Sequence, residues 1–270
     1  MAGSLCSCFF CSRFPPKSST LLAELVRVSG PLPFPTDFVL LSRSCSQYWE
    51  KVGNAVKDTT HDERCLRPCD ACMSNDFAYT EAGVLRDDVL DRDHDRVIVE
   101  CTDNCPNPIP ENRQLQRGTQ FRLELFMTSD NRGWGLRSLD FIPRGAFVCE
   151  YVGELLPGNI ADERENPSYN FALSDDADLV LDSRMRGNIS RFINHRCRPN
   201  LSAFGVLTGD FFVSQLEHRR VPLPRVGFFS ERDIPPGEEL TIDYSWMLGC
   251  WAGATMRCRC GHKVCRRRLL

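Results

Sequence analysis

The chain has 270 residues, 42% of them hydrophobic and 26% charged, so it is long enough to bury a sizeable core and has an ordinary globular composition. Its net charge of −3 argues against a protein that holds nucleic acid by bulk attraction, because such domains are usually strongly basic. No apolar run approaches the length of a membrane span, and the start lacks the basic n-region of a secretory signal. We therefore expect neither a membrane protein nor a secreted one.

Residues 1–60 show little periodic pattern and are interrupted by the segments FPPKSS and GPLPFP. Proline-rich and serine-rich segments of this kind break regular structure. The sequence predicts a poorly defined lead-in, with one short helix in the stretch TLLAELVRV.

A first group of cysteines follows among charged, loop-forming residues, and it consists of Cys65, Cys69, Cys72, Cys101 and Cys105. A region with so few apolar residues usually needs metal to hold it together. The chain has 15 cysteines in clusters, which favours metal binding in a reducing compartment over disulfides. One four-ligand site is possible here, with His61 or His94 in reserve, and no metal at all is also possible.

From about residue 119 the chain changes to short apolar runs separated by Gly, Pro and Asp. The runs are FRLELFMT, AFVCEYVGELL, NFALS, LVLDSR, VGFFSERDI and EELTIDY. Their length and aromatic content predict strands, and only IADEREN and the region around NISRFINH look helical. We predict a mostly β domain made of several small sheets.

The C-terminal tail contains Cys258, Cys260 and Cys265 within eight residues. Structural zinc prefers four ligands, so three thiolates are one short of a complete set. Cys197 is our candidate for the fourth ligand, and Cys250 competes with it. The alternative is that these are ordinary thiols in a basic tail.

Four longer motifs stand in a fixed order: RGWGLRSLDFIPRGAFVCEYVGEL, GNISRFINHRCRPN, ERDIPPGEELTIDY and CRCGHKVC. In this order they resemble the SET-domain protein lysine methyltransferases that carry a post-SET zinc site. The segments VECTDNC and ENRQLQRG before them resemble the end of the pre-SET region of histone H3 lysine 9 methyltransferases. The chain also resembles the SET part of the SET–mariner fusion protein.

The resemblance implies a SET-domain fold of several small sheets with a C-terminal pseudoknot. The implied units are a degenerate pre-SET region (61–117), a SET domain (118–247) and a post-SET zinc-binding tail (248–270). The pre-SET region of the family holds nine cysteines around three zinc ions, whereas this chain has five there. A three-zinc cluster therefore cannot form from cysteine alone.

The resemblance also implies S-adenosylmethionine as the methyl donor, and Zn²⁺ on Cys197, Cys258, Cys260 and Cys265. The residues implied to bind the donor are Arg132, Gly133, Trp134, Gly135, Tyr169, Arg191, Asn194 and His195. Tyr244 is the implied catalytic tyrosine, and Tyr151 also lines the lysine channel. Ile242 stands where the family places an aromatic residue, which predicts room for di- or trimethylation.

A cluster of acidic residues is the predicted groove for a basic histone tail: Glu154, Asp162, Glu163, Glu165, Asp175, Asp176, Asp178 and Asp182. The usual meaning of such a run is a solvated face. The leading hypothesis is a histone lysine methyltransferase in the nucleus and on chromosomes, with lysine 9 of histone H3 as the favoured target. The alternatives are a catalytically silent SET module that binds chromatin or partner proteins, and a zinc-dependent nucleic-acid-binding protein.

Overall fold

The computed structural model describes residues 26–28, 39–40, 76–91, 97–102, 105, 108–164, 168–173, 179–208, 212–215, 219–244 and 257–267. Several residues singled out in the sequence lie outside the described part: His61, Cys65, Cys69, Cys72, His94, Glu165, Asp175, Asp176, Asp178 and Cys250. Within the described part, no helix is long and apolar enough to span a membrane.

Short strands dominate the fold. The strands are β1 (Val26–Val28), β2 (Val39–Leu40), β3 (Ile98–Val99), β4 (Leu123–Met127), β5 (Trp134–Ser138), β6 (Phe147–Tyr151), β7 (Gly153–Pro157), β8 (Asn170–Ala172), β9 (Leu179–Gly187), β10 (Asn194–His195), β11 (Leu201–Leu207), β12 (Phe212–Gln215), β13 (Arg219–Pro222), β14 (Arg225–Ser230) and β15 (Thr241–Ile242). The helices are α1 (Asp87–Leu90), α2 (Gln114–Arg117) and α3 (Gly158–Asp162), with 3₁₀ turns at Pro110–Asn112 and Ile189–Phe192.

The strands form several small sheets, as predicted for a mostly β domain. One has the order β1-β4-β5, a second has the order β3-β11-β14-β6, and a third has the order β2-β9-β7 with β8 also paired to β9. Two pairs stand apart, β10-β15 and β12-β13. Every residue of β6 and β14 is buried, which requires cover on both faces and explains why these runs are almost continuously apolar.

Two predictions about secondary structure need correction. The end of the predicted helix TLLAELVRV is strand β1, which runs parallel to β4 and pairs Val26 with Leu123. Its β-branched valines suit a strand better than a helix. The expected single run AFVCEYVGELL is two strands that break before Gly153, where a Cβ would come within 2.9 Å of the Asp182 backbone.

The described part of residues 61–117 is held to the sheets by apolar packing, so it does not depend on metal alone. Tyr79, Leu85 and Leu115 share one buried cluster with Phe147 and Phe229 of β6 and β14. This packing corrects the expectation that the region is too poor in apolar residues to form a core.

A buried carboxylate adds to that attachment. Glu100 is fully buried and accepts hydrogen bonds from the Tyr79 hydroxyl (2.8 Å), the backbone N–H of Leu115 (2.7 Å) and the Gln116 side chain (3.1 Å). Burial raises the pKa of Glu100, and these donors oppose that rise.

The C-terminal strand joins segments that are far apart in the chain. β15 pairs in parallel with β10, placing Asn194 beside Thr241 and His195 beside Ile242. Just before it, Glu239 forms a bridge with Arg137 of β5. The residues preceding Tyr244 therefore contact β5 on one side and β10 on the other.

Candidate active site and zinc centre

The sulfur atoms of Cys197, Cys258, Cys260 and Cys265 all lie within 4.8 Å of one another. The Cys197 sulfur is 3.7 Å from that of Cys258 and 3.9 Å from that of Cys265. A tetrahedral zinc with bonds of about 2.3 Å separates its sulfur ligands by about 3.8 Å. The four residues fit a structural zinc ion, and the competing Cys250 lies outside the described residues.

Backbone N–H groups donate hydrogen bonds to the sulfur atoms of the cluster. These bonds run from Arg266 to Cys197 (3.4 Å), from Cys260 to Cys258 (3.4 Å) and from Arg267 to Cys265 (3.2 Å). Burial raises the pKa of Cys260, but backbone donors outweigh it and lower that pKa to about 6. Burial raises the pKa of the neighbouring Cys258, so of these two sulfurs only Cys260 is shifted toward the thiolate, and the fit to zinc rests on the sulfur distances.

His195 connects this cluster to the predicted catalytic tyrosine. Its Nδ1 accepts a hydrogen bond from the backbone N–H of Tyr244 (3.1 Å), so the proton of the neutral ring resides on Nε2. Nε2 lies 3.3 Å from the Cys197 sulfur. Burial lowers the pKa of His195 to about 4, which keeps the ring neutral. Both ring nitrogens are thus engaged within the protein, leaving the backbone and the ring face for any ligand.

The RGWG segment is held to β10 by hydrogen bonds. Asn194 donates from Nδ2 to the carbonyl oxygen of Trp134 (3.1 Å). Gly133 has a φ of 86°, in the left-handed region that favours glycine. At Gly135 an added Cβ would lie 2.9 Å from Oε1 of Glu239 and 3.2 Å from the Asn194 amide nitrogen, so a side chain here would displace these groups. The structure therefore brings Arg132–Gly135 and Asn194 together.

The two predicted channel tyrosines are hydrogen-bond donors: Tyr151 is buried and Tyr244 is partly buried. The hydroxyl of Tyr244 donates to the carbonyl oxygen of Ile193 (2.8 Å), and that of Tyr151 donates to the carbonyl oxygen of Tyr169 (2.6 Å). Burial raises the pKa of both phenols, so both stay protonated at neutral pH.

Arg191 and Tyr169 form a second part of the site. The guanidinium carbon of Arg191 lies 4.1 Å from the centroid of the Tyr169 ring, a cation–π contact. Arg191 also donates from Nε to the carbonyl oxygen of Ser183 (3.0 Å). Since Tyr151 donates to Tyr169, these residues form one connected group.

Ile242 lines a cavity of about 280 Å³. Phe171 and Ala203 are also in its wall, and the Phe171 ring lies 5.4 Å from that of Tyr151. Phe171 was missed in the sequence, although it lies in the predicted strand run NFALS, two residues after Tyr169. The wall also includes charged side chains such as Glu231 and Asp243, and neither of the predicted channel tyrosines lines it.

The predicted acidic groove needs a correction. Glu154 and Asp182 are 4% and 1% exposed, and both pair with Arg164. They are neighbours across β7 and β9, so they belong to a buried ion-pair group and not to a surface. Asp162 and Glu163 are exposed.

Comparison with known proteins agrees with this geometry. Residues 133–245 match the family described as SET domain. The chain carries a SET domain. The match contains Tyr151, Asn194 and Tyr244, and its edges lie inside the predicted unit 118–247.

Among curated relatives of the SET domain, mouse "Histone-lysine N-methyltransferase EHMT1" is 37% identical over 243 residues, covering 86% of this chain and 18% of that protein. The methyltransferase domain of human SETMAR superimposes with a TM-score of 0.65 at 27% identity, covering 91% of this chain and 93% of that one. Arabidopsis thaliana SUVH6 in complex with SAM gives a TM-score of 0.65 at 29% identity, covering 91% and 53%. The chain thus spans only a minor part of the EHMT1 protein.

Proposed function

We propose that this chain is an S-adenosylmethionine-dependent protein lysine N-methyltransferase that acts on a histone tail, with lysine 9 of histone H3 as the favoured target. One observation carries the proposal: Tyr244 is fixed by His195 and Ile193 beside the joined Arg132–Gly135 and Asn194 segments. The names of EHMT1 and SETMAR support the reaction class, and the SUVH6 complex supports the donor.

The chemistry requires a neutral lysine. At pH 7 the deprotonation of a lysine with a pKa of about 10.4 costs about 4–5 kcal/mol in water. S-adenosylmethionine, when bound, would supply a methyl group whose bond to sulfur breaks as its bond to the lysine nitrogen forms; S-adenosylhomocysteine would leave, and the lysine would already have lost its proton to water. Residues Arg132–Gly135, Tyr169, Arg191 and Asn194 would hold the donor.

The protein's part is to desolvate and orient the amine. A channel that excludes water disfavours the charged ammonium, and Tyr244 and Tyr151 bring phenol oxygens to its wall. Both phenols stay protonated, so neither serves as a strong base. Positioning and exclusion of water are the contributions that these residues can make.

The substrate would lie as an extended peptide beside a strand edge, the common mode for peptide binding to sheets. The exposed carboxylates Asp162 and Glu163 would attract a basic tail to this side of the domain. A histone substrate places the protein in the nucleus and on chromosomes.

The first prediction concerns Tyr244→Phe. We expect the variant to bind the methyl donor and to lose roughly 100-fold or more in transfer rate, the usual loss when one oriented polar group of a reaction centre is removed. The measurement is transfer of labelled methyl groups to histones. Tyr79→Phe is the matched control, since that hydroxyl bonds to Glu100 away from the site. Donor binding without transfer by the wild type would favour the silent module.

The second prediction concerns the number of methyl groups added. Ile242 has no hydroxyl to hold a water against the amine, so the wild type should produce di- or trimethyl-lysine. Ile242→Phe should shift the products toward monomethyl-lysine because the larger ring would leave less room beside the amine, whereas Ile242→Leu should not. Mass spectrometry of product peptides measures this, and strict monomethylation by the wild type would contradict it.

A further inference from the structure

The carboxylate of Glu239 connects two segments that the proposed function assigns to the methyl donor. Its Oε2 accepts from Nη2 of Arg132 (2.6 Å), and its Oε1 accepts from Nδ2 of Asn194 (2.9 Å). The side chains of Glu239 and Arg132 are each only 15% exposed, so solvent screens the contact weakly.

The backbone around Glu239 is held on both sides. Glu239 forms a bridge with Arg137, and the N–H of Leu240 donates to the carbonyl oxygen of Leu136 (2.7 Å). Two residues later, Thr241 pairs with Asn194 in the β10-β15 ladder. A carboxylate on such a fixed segment can determine the orientation of the groups that bind it.

The Asn194 amide has a defined orientation because of these bonds. Its Nδ2 carries two hydrogens, and its two acceptors are the Trp134 carbonyl oxygen (3.1 Å) and Glu239 Oε1 (2.9 Å). Among the described residues, Oδ1 of Asn194 has no donor. The oxygen is therefore the amide atom available to a ligand, and an oxygen can only accept.

An acceptor next to a carboxylate favours a cationic donor group. The amino-acid part of S-adenosylmethionine carries an ammonium, which is such a group. We propose that Glu239 is a positioning residue that fixes Asn194 with its amide oxygen toward the ligand, so that Asn194 accepts from the ammonium of the methyl donor. This inference rests on the proposed function and names no new step in the reaction.

A carboxylate is needed at this position because both of its oxygens must accept. Glutamine has one acceptor oxygen and one donor nitrogen. In Glu239→Gln the amide nitrogen would face either Arg132 or Asn194, both of which donate. Arg132 cannot reverse its role. Asn194 can turn over and present Nδ2 to the ligand only by placing Oδ1 against the Trp134 carbonyl oxygen, so either arrangement loses a hydrogen bond and the fixed orientation of the amide. The turned amide would meet the ammonium as a second donor.

The third prediction is tested by the affinity of the full chain for two ligands. S-adenosylhomocysteine has the ammonium, and 5′-methylthioadenosine lacks the amino-acid group. Measured by calorimetry, Glu239→Gln should weaken the affinity for S-adenosylhomocysteine at least tenfold. It should change the affinity for 5′-methylthioadenosine by less than about twofold. The control Glu238→Gln changes the adjacent carboxylate, which bonds to Asn200 (2.8 Å) and lies beside Arg232, and should leave both affinities unchanged.

Two further variants separate orientation from general damage. Asp130→Asn removes the other carboxylate bound to Arg132 (2.7 Å) and should have a smaller effect than Glu239→Gln. In an Asn194→Ala background, Glu239→Gln should cause no additional loss, because it acts through Asn194.

The outcomes distinguish the two proposals. If Glu239→Gln weakened the affinity for both ligands equally, or left the affinity for S-adenosylhomocysteine unchanged, the role of Glu239 would be wrong while the proposed function stands. If the wild-type protein binds neither ligand, the proposed function fails and the role of Glu239 falls with it.

Discussion

Replacing Cys197 with serine should remove most of the bound zinc and, with it, most of the affinity for the methyl donor. Cys197 is the ligand that ties the tail to the middle of the domain, since its sulfur lies 3.7 Å from that of Cys258 and 3.9 Å from that of Cys265. It also stands two residues after His195, whose ring contacts both Cys197 and Tyr244. Zinc content by elemental analysis and donor titration of the same sample measure the two losses together.

The matched control for this fourth prediction is Cys149→Ala. Cys149 is 1% exposed within β6 and is not part of the sulfur cluster, so its variant should keep the zinc. The tail has a second attachment, because Arg266 donates to both carboxylate oxygens of Asp243 (2.5 and 2.7 Å). If Cys197→Ser lost zinc and kept full donor affinity, the Arg266–Asp243 pair would be enough to hold the tail in place. The coupling of the zinc site to the donor site through His195 would then be wrong.

Much of the fold was predictable because the signals are local. The apolar runs that became β4, β8, β9 and β14 have the length and aromatic content of strands. The cysteine cluster was also predictable, since three closely spaced cysteines are one short of the four ligands that structural zinc prefers. Even so, the choice of Cys197 over Cys250 depended on family resemblance, and the sulfur distances now support it.

The features that escaped prediction depend on contacts between distant segments. Strand β5 begins within the RGWG motif and was not among the predicted runs. Glu239 has no local mark of its role, because its partners Arg132 and Asn194 are remote in sequence. Likewise, Glu154 and Asp182 looked like surface charges until strand pairing placed them together with Arg164. Sequence spacing alone cannot show such contacts.

The buried group of Arg164, Glu154 and Asp182 leads to the fifth prediction, which has the largest expected effect on stability. Arg164→Met should lower the free energy of unfolding by about 3–5 kcal/mol, because it leaves two buried carboxylates side by side without a cation. The loss should also reach the site, since β9 carries Ser183, whose N–H donates to the carbonyl oxygen of Tyr169 (3.1 Å). Urea unfolding and donor titration would measure both effects.

The loss of charge, and not the change in side-chain volume, should cause the destabilisation of Arg164→Met. The triple variant Arg164→Met, Glu154→Gln, Asp182→Asn removes all three charges and should recover most of the stability, because a buried ion pair can be replaced by neutral groups at little cost. Arg122→Met is the control for an exposed pair: its side chain is 61% exposed beside Asp140, and its loss should cost less than about 1 kcal/mol. If Arg164→Met destabilised the protein as little as Arg122→Met, Glu154 and Asp182 would have to be accessible to water. They could then belong to the peptide groove predicted from the sequence.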